Sequence, residues 1–215
     1  TTFSLPHPPL VIPNFVDTNT FRPRQAPDLR SIYANPQEYI FVHASNFRPI
    51  KQVPWLLHLF ERLVQMGLPA KFLLIGDGPE RPAVEKLARE LKIEKQVIFT
   101  GAVTEVQDYL ALGDVFLLAS RAESFGLAAL EAMACGVPVV APRVGGLPEV
   151  VQEGGILYEP DDLASAEKAV FQVLKKLTAY REAAHKNALR FDLHRIVPLY
   201  ESLYEATRAK TCILP

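Results

Sequence analysis

Two glutamates, Glu123 and Glu131, flank the run Ser124-Phe125-Gly126-Leu127, and two cations, Arg48 and Lys51, stand close together earlier in the chain. Carboxylates accept hydrogen bonds from sugar and ribose hydroxyls. Guanidinium and ammonium groups hold phosphate, Arg through paired donors and Lys as a point charge. At 1.5 Å per helical residue the glutamates lie about 12 Å apart, roughly the reach of a sugar, a diphosphate and a ribose. A helix opening at Phe125, with Ser124 as its N-cap, would place free N–H groups and a positive dipole end between them, where phosphate binds. The set suits a nucleotide-sugar. Spacing alone leaves plainer alternatives open: either glutamate can be a solvated helix-face residue, and Arg48 and Lys51 two solvated cations at a helix entrance.

These residues must be held by elements, and the pattern supplies them. Short apolar runs near 39–45, 72–75, 97–99, 115–118, 138–141 and 155–158 read as buried parallel strands. They alternate with helical segments near 52–66, 80–91, 105–111, 125–135 and 147–152. Such alternation predicts an α/β, doubly wound, Rossmann-like parallel sheet, and right-handed crossovers predict the strand order 3-2-1-4-5-6. In that order the first and fourth strands are neighbours, and ligands bind in the crevice beyond their carboxyl ends. The loops concerned, 46–51 and 119–126, carry the cations and Glu123, so topology and chemistry select one place.

Residues 1–38 are Pro-rich and lack periodicity, apart from Leu10-Val11-Ile12, which could form a short strand. Beyond Asp161 the chain reads as helical, with apolar spacing through Leu163, Ala166, Val170 and Leu174, then through Leu189, Ile196, Leu199 and Leu203. These segments are expected to cover the sheet. The expected division is a linker over 1–38, a nucleotide-sugar-binding domain over 39–190 and a helical segment over 191–215. Gly76-Asp77-Gly78-Pro79-Glu80 lacks a third glycine and reads as a tight strand-to-helix turn rather than a dinucleotide fingerprint.

The segment around the two glutamates resembles the E-x7-E region of retaining glycosyltransferases of family 4, which have the GT-B fold, and EAMACGVPVVAPRVGGLPEVV continues the likeness. VIPNFVD is similar to that family's V-I-P-N-G-V-D, with Phe15 in place of Gly, and marks its second Rossmann-like domain. Where most members have G-R-L-x-x-x-K, this chain has His43, Ser45, Asn46, Phe47, Arg48 and Lys51 in the form H-x-S-N-F-R-x-x-K. That form is found in the members that join N-acetylglucosamine to L-malate in bacillithiol biosynthesis. Lys51 takes the family's Lys position. Either Asn46 or Arg48 stands in for its Arg.

The resemblance implies a UDP-sugar donor, and UDP-N-acetylglucosamine for the subfamily. It implies catalytic roles for Arg48, Lys51 and Glu123. Donor contacts would come from Asn46, Gly101, Val103, Ser124, Phe125, Gly126, Leu127 and Glu131, with the base near Gly101 and Val103. It implies no metal and no cofactor. The acceptor, L-malate or another, would be held by an amino-terminal domain of which no strand–helix unit precedes Leu10, so this chain alone is expected to be inactive. The resemblance also implies that the last helix crosses back to that domain, so part of the 195–210 face is expected to be an uncovered interface. Another family 4 hexosyltransferase, or a non-catalytic nucleotide-sugar-binding module, remains an alternative reading.

Composition narrows the partners. A net charge of −1 over 215 residues offers no basic field for nucleic acid. Cys135 and Cys212 are far apart and outside any ligand spacing, which suggests neither a disulfide framework nor a zinc site. The N-terminus lacks a charged region followed by an apolar core, and no run of eighteen apolar residues occurs. A cytoplasmic protein without a membrane span is expected.

Overall fold

The computed structural model describes residues 10–24 and 26–211, so Cys212 lies outside the described residues. In chain order the elements are α1 (Pro27–Tyr33), β1 (Tyr39–Ala44), α2 (Val53–Gln65), β2 (Ala70–Ile75), α3 (Arg81–Glu90), β3 (Val97–Gly101), α4 (Val106–Leu110) and β4 (Val115–Leu117). There follow α5 (Leu127–Ala134), β5 (Val139–Pro142), α6 (Leu147–Val151), β6 (Gly155–Tyr158), α7 (Leu163–Lys175), α8 (Leu177–Ala188) and α9 (Leu193–Thr211). All strand pairs are parallel, in the order β3-β2-β1-β4-β5-β6. The predicted fold class and strand order both hold.

The strands are largely apolar because both faces of the sheet are covered. Ile40, Val42, Phe116 and Val139 pack with Leu130 and Met133 of α5, Leu147 of α6 and Ala184 of α8. On the other face Phe41, Phe72, Val115 and Val140 pack with Leu56 and Phe60 of α2, Val84 of α3 and Val170 of α7. The period-two alternation of a strand assigns successive residues to these two cores.

Three expectations change. Leu10-Val11-Ile12 forms no strand, and Leu10 and Val11 are exposed. The chain instead joins the body through Val16, whose N–H donates to the Phe191 carbonyl and whose carbonyl accepts from Leu193, both at 2.9 Å. The segment before Tyr39 contains a helix, α1, whose seven residues are too few to show a period. And α9 does not extend the cover of the sheet: Ile196 is buried, but Leu199 and Leu203 are exposed, on the 195–210 face that the resemblance implied would stay uncovered. Apolar spacing identified a helix there, not what it packs against.

The amino edge is pinned by one buried carboxylate. Asp114 accepts from the Ile40 N–H (2.7 Å), from Arg30 of α1 (2.8 Å) and from Arg181 of α8 (2.6 Å). Two cations and a backbone donor offset its desolvation, so removing the carboxylate leaves the Ile40 N–H without an acceptor and both guanidiniums without their counter-charge. Asp114→Ala should lower unfolding stability by about 3–5 kcal/mol, the cost of breaking a buried pair. Urea denaturation measures this, and a loss below about 1 kcal/mol would mean that solvent replaces the carboxylate.

Candidate functional site

The carboxyl edge between β1 and β4 assembles from three loops. The first, 45–52, leaves β1 and contains a 3-10 turn at Pro49–Lys51. The second, 118–126, leaves β4. The third, 143–146, leaves β5. Backbone bonds join them: the Arg121 N–H donates to the Ile50 carbonyl and the Gly146 N–H to the Glu123 carbonyl, both at 2.9 Å. Gln52 adds a side-chain link. With its amide oriented to suit its partners, it donates to the Ala119 carbonyl (2.7 Å) and accepts from Arg121 Nε (2.8 Å).

Across the first two loops Lys51 Nζ meets Glu123 Oε2 at 2.7 Å. The side chains are 24% and 15% exposed, so the pair is only partly screened by water. These residues are 72 positions apart in sequence. Arg48 lies on the same loop, exposed, and its guanidinium has no hydrogen bond or ion pair to the described residues. Asn46 is exposed as well.

Ser124 is not the N-cap of α5. The helix begins at Leu127 with Gly126 in the cap position, and no side chain caps it. Gly126 has φ +98 and ψ 49, a left-handed turn that carries Ser124 away from the helix axis into solvent. The N–H groups of Phe125, Gly126 and Leu127 consequently have no acceptor among the described residues. The 12 Å estimate assumed helix from Glu123 onward, but only its last four steps, Leu127 to Glu131, are helical.

Glu131, inside α5, is partly buried and its carboxylate has no hydrogen-bond partner among the described residues. Burial pushes its pKa up from 4.5 to about 6. An unpaired carboxylate of this kind is a ready acceptor for ligand hydroxyls. Gly101 and Val103 stand at the flank of the same edge, with the Gly101 carbonyl accepting from the Gly76 N–H at 2.9 Å and Val103 half-buried against the core. The structure thus gathers Arg48, Lys51, Glu123 and the Phe125–Leu127 amides at the first and second loops.

Two glycines make the loops fit. Gly145 has φ +51, and a Cβ there would lie 1.9 Å from the Glu123 carbonyl oxygen. Gly76 has φ +113, and a Cβ there would lie 2.0 Å from the Ser45 carbonyl oxygen. Neither position admits a side chain without moving the backbone that presents Glu123 or Arg48. The Gly76-Asp77-Gly78 turn is therefore a strand-to-helix turn, as read, and also a buttress of the first loop.

His43 is fully buried, and both ring nitrogens are engaged: Nδ1 lies 2.8 Å from the Leu117 carbonyl and Nε2 2.8 Å from Ser45 Oγ. Burial is the main cause of its pKa falling to about 4, with nearby Lys51 adding to the effect, so it is neutral at physiological pH. It is a satisfied core residue and not a base. Burial likewise pushes the Cys135 thiol up to about 12, which makes it inert.

Sequence reasoning passed over Gln52 and Arg121. Gln52 holds φ +50, uncommon for a residue with a side chain, and its amide bridge to the second loop compensates. Nothing in the sequence signals that bridge, because it exists only once β1 and β4 are neighbours. Among the described residues no helix is long and apolar enough to cross a membrane.

Residues 38–176 match the family model for glycosyl transferases group 1. An N-acetyl-alpha-D-glucosaminyl L-malate synthase of Bacillus anthracis is 40% identical over 198 residues, which are 89% of this chain and 52% of that protein. Sucrose-phosphate synthase from Thermosynechococcus elongatus superposes with a TM-score of 0.83 at 26% identity, over 93% of this chain and 52% of the other. Anabaena HepE, solved in complex with UDP-glucose, gives 0.80 at 25% identity, over 91% and 57%. The chain spans about half the length of the curated relative and of these solved structures. By sequence match, topology and superposition alike, the chain belongs to the group 1 glycosyl transferases.

Proposed function

We propose that this chain is the donor-binding half of a retaining glycosyltransferase, holding a UDP-sugar at the carboxyl edge between β1 and β4. The observation that carries the reading is the Lys51–Glu123 contact at 2.7 Å, beside the uncapped start of α5. A diphosphate finds there Lys51, the unpaired Arg48 and the Phe125–Leu127 amides. Lys51 exchanges its Glu123 partner for phosphate, and Glu123 is released toward the sugar hydroxyls. As the bond from the anomeric carbon to the phosphate oxygen breaks, its electrons pass to that oxygen, where the same donors stabilise the growing charge, while an acceptor hydroxyl oxygen bonds to that carbon and gives up its proton to the departing phosphate. The reading needs no resident metal or cofactor. Glu131 takes the ribose hydroxyls, and Gly101 and Val103 flank the base.

UDP is supported by the complex of HepE, and N-acetylglucosamine and L-malate by the name of the 40% identical relative. In this reading the acceptor is held by a second domain, and the protein acts in the cytoplasm. Calorimetric titration with UDP and UDP-N-acetylglucosamine tests the donor assignment. Absence of heat up to millimolar ligand with the folded chain would overturn it, and preference for another nucleotide-sugar would redirect it to a different hexosyltransferase.

Arg48 and Lys51 should separate in their effects. Arg48→Ala removes a cation without a protein partner, so it should weaken UDP by roughly 1.5–3 kcal/mol, leave uridine nearly unaffected and change stability by no more than about 0.5 kcal/mol. Equal losses for UDP and uridine would take Arg48 off the phosphate.

Glu123→Gln gives a less obvious expectation. Because Glu123 competes with phosphate for Lys51 in the ligand-free protein, the variant should bind UDP more tightly by about 0.5–1 kcal/mol, the worth of a partly exposed pair. It should at the same time lose the preference for UDP-N-acetylglucosamine over UDP. Parallel weakening for both ligands would contradict the exchange.

Glu131 carries a pH signature. Its folded-state pKa, about 6, lies above the ordinary 4.5, so the charged form costs stability. That cost is absent below pH 4.5, grows between 4.5 and 6, and is complete above 6. Glu131→Gln should therefore stabilise the chain at pH 7.5 by about 1–2 kcal/mol, with the gain vanishing in acid, while weakening UDP relative to its 2′,3′-dideoxy analogue. Urea midpoints at pH 7.5 and 4.5, with titrations of both nucleotides, give the answer.

A further inference from the structure

The first loop is held by a chain of hydrogen bonds whose every direction is forced. The Leu117 carbonyl at the end of β4 can only accept, so the His43 Nδ1 facing it at 2.8 Å carries the proton. In a neutral imidazole Nε2 is then only an acceptor, and the Ser45 hydroxyl, 2.8 Å away, must donate to it. With its proton committed, Ser45 Oγ presents lone pairs to the Phe47 N–H at 3.3 Å. The relay runs from β4 through β1 to the residue before Arg48.

Its outer end lies at a strained position. Phe47 has φ +41, a left-handed conformation uncommon for a bulky residue, with its ring fully buried. The His43 ring lies between two aromatics, with centroids 6.4 Å from Phe47 and 6.2 Å from Phe116. The Phe47 carbonyl in turn accepts from Glu80 N–H at 3.1 Å. Phe47 is thus clamped at its amide, its ring and its carbonyl, and Arg48 and the Pro49–Lys51 turn follow directly.

We infer that His43 and Ser45 are positioning residues for diphosphate recognition: their relay, anchored on the Leu117 carbonyl, holds the left-handed turn at Phe47 that aims Arg48 and Lys51 at the phosphates. This rests on the donor-site reading above. A role confined to stability predicts something different, namely that removing the relay weakens the fold but leaves the discrimination between UDP and uridine unchanged.

The test uses the 215-residue chain and its variants Ser45→Ala, Ser45→Thr, His43→Phe and Arg48→Ala, titrated with UDP and with uridine. Ser45→Ala and His43→Phe should each weaken UDP about five- to tenfold and uridine less than about twofold, the worth of a lost hydrogen bond. Ser45→Thr keeps the hydroxyl and should restore UDP affinity to within about twofold. In Ser45→Ala the further loss caused by Arg48→Ala should shrink, since the two act on one contact. Nitrogen-15 NMR of the wild-type histidines should show His43 as the Nδ1–H tautomer. An unchanged UDP-to-uridine ratio in Ser45→Ala, or an Nε2–H tautomer, overturns the relay while leaving the donor site standing. Failure of the wild-type chain to prefer UDP over uridine overturns both. If His43→Phe does not fold, the Ser45 pair and the tautomer still decide.

Discussion

The pairing of β1 with β4 is the constraint from which the rest of this site follows. Two strands with two complete strand–helix units between them become parallel neighbours, matched Phe41 to Val115 and Val42 to Phe116. That register fixes where each strand stops, and so which loop residues face each other beyond the sheet. Lys51 reaches Glu123, the Arg121 amide reaches Ile50, and His43 reaches Leu117 because of this one adjacency. A slip of one residue would turn every inward side chain of a strand outward and dismantle all three contacts.

Electrostatically the ligand-free edge is only half balanced. Lys51 and Glu123 neutralise each other, yet the Arg48 guanidinium, the Glu131 carboxylate and the amides at the start of α5 have no partners among the described residues. Unpaired groups of this kind are costly to a fold and useful to a binder. Asp114 is the contrast. At the opposite end of the same sheet, buried and paired at both oxygens, it secures α1 and α8. A carboxylate saturated by its own chain is structure, and one left half-buried without partners is a candidate for a site.

Beneath the charged groups lies a layer that does no chemistry and decides the geometry. The backbone packing of Gly76 on Ser45 and of Gly145 on Glu123, the Gln52 bridge, and the buried ring of Phe47 leave the loops few alternative conformations. In the proposed reading, rigidity of this sort would let a short cation-bearing turn meet a diphosphate without first being ordered by it, which spares the entropy of immobilising a loop on binding.

The α/β alternation, the strand order and the location of the crevice were legible in the sequence, because burial on both faces forces continuous apolar strands and right-handed crossovers leave few topologies. Arg48, Lys51, Glu123 and Glu131 could be nominated from residue type and spacing, and local periodicity placed α2, α3 and α5 within two residues of their observed ends. What spacing could not supply was every relation across the sheet. The ion pair of Lys51 with Glu123, the shift of the α5 cap from Ser124 to Gly126, the exposure of α9 and the engagement of His43 at both nitrogens all depend on which strands and loops become neighbours. Local propensity acts over a few residues along the chain, whereas burial, charge pairing and backbone approach are set by residues dozens of positions away, so only the tertiary structure decided them.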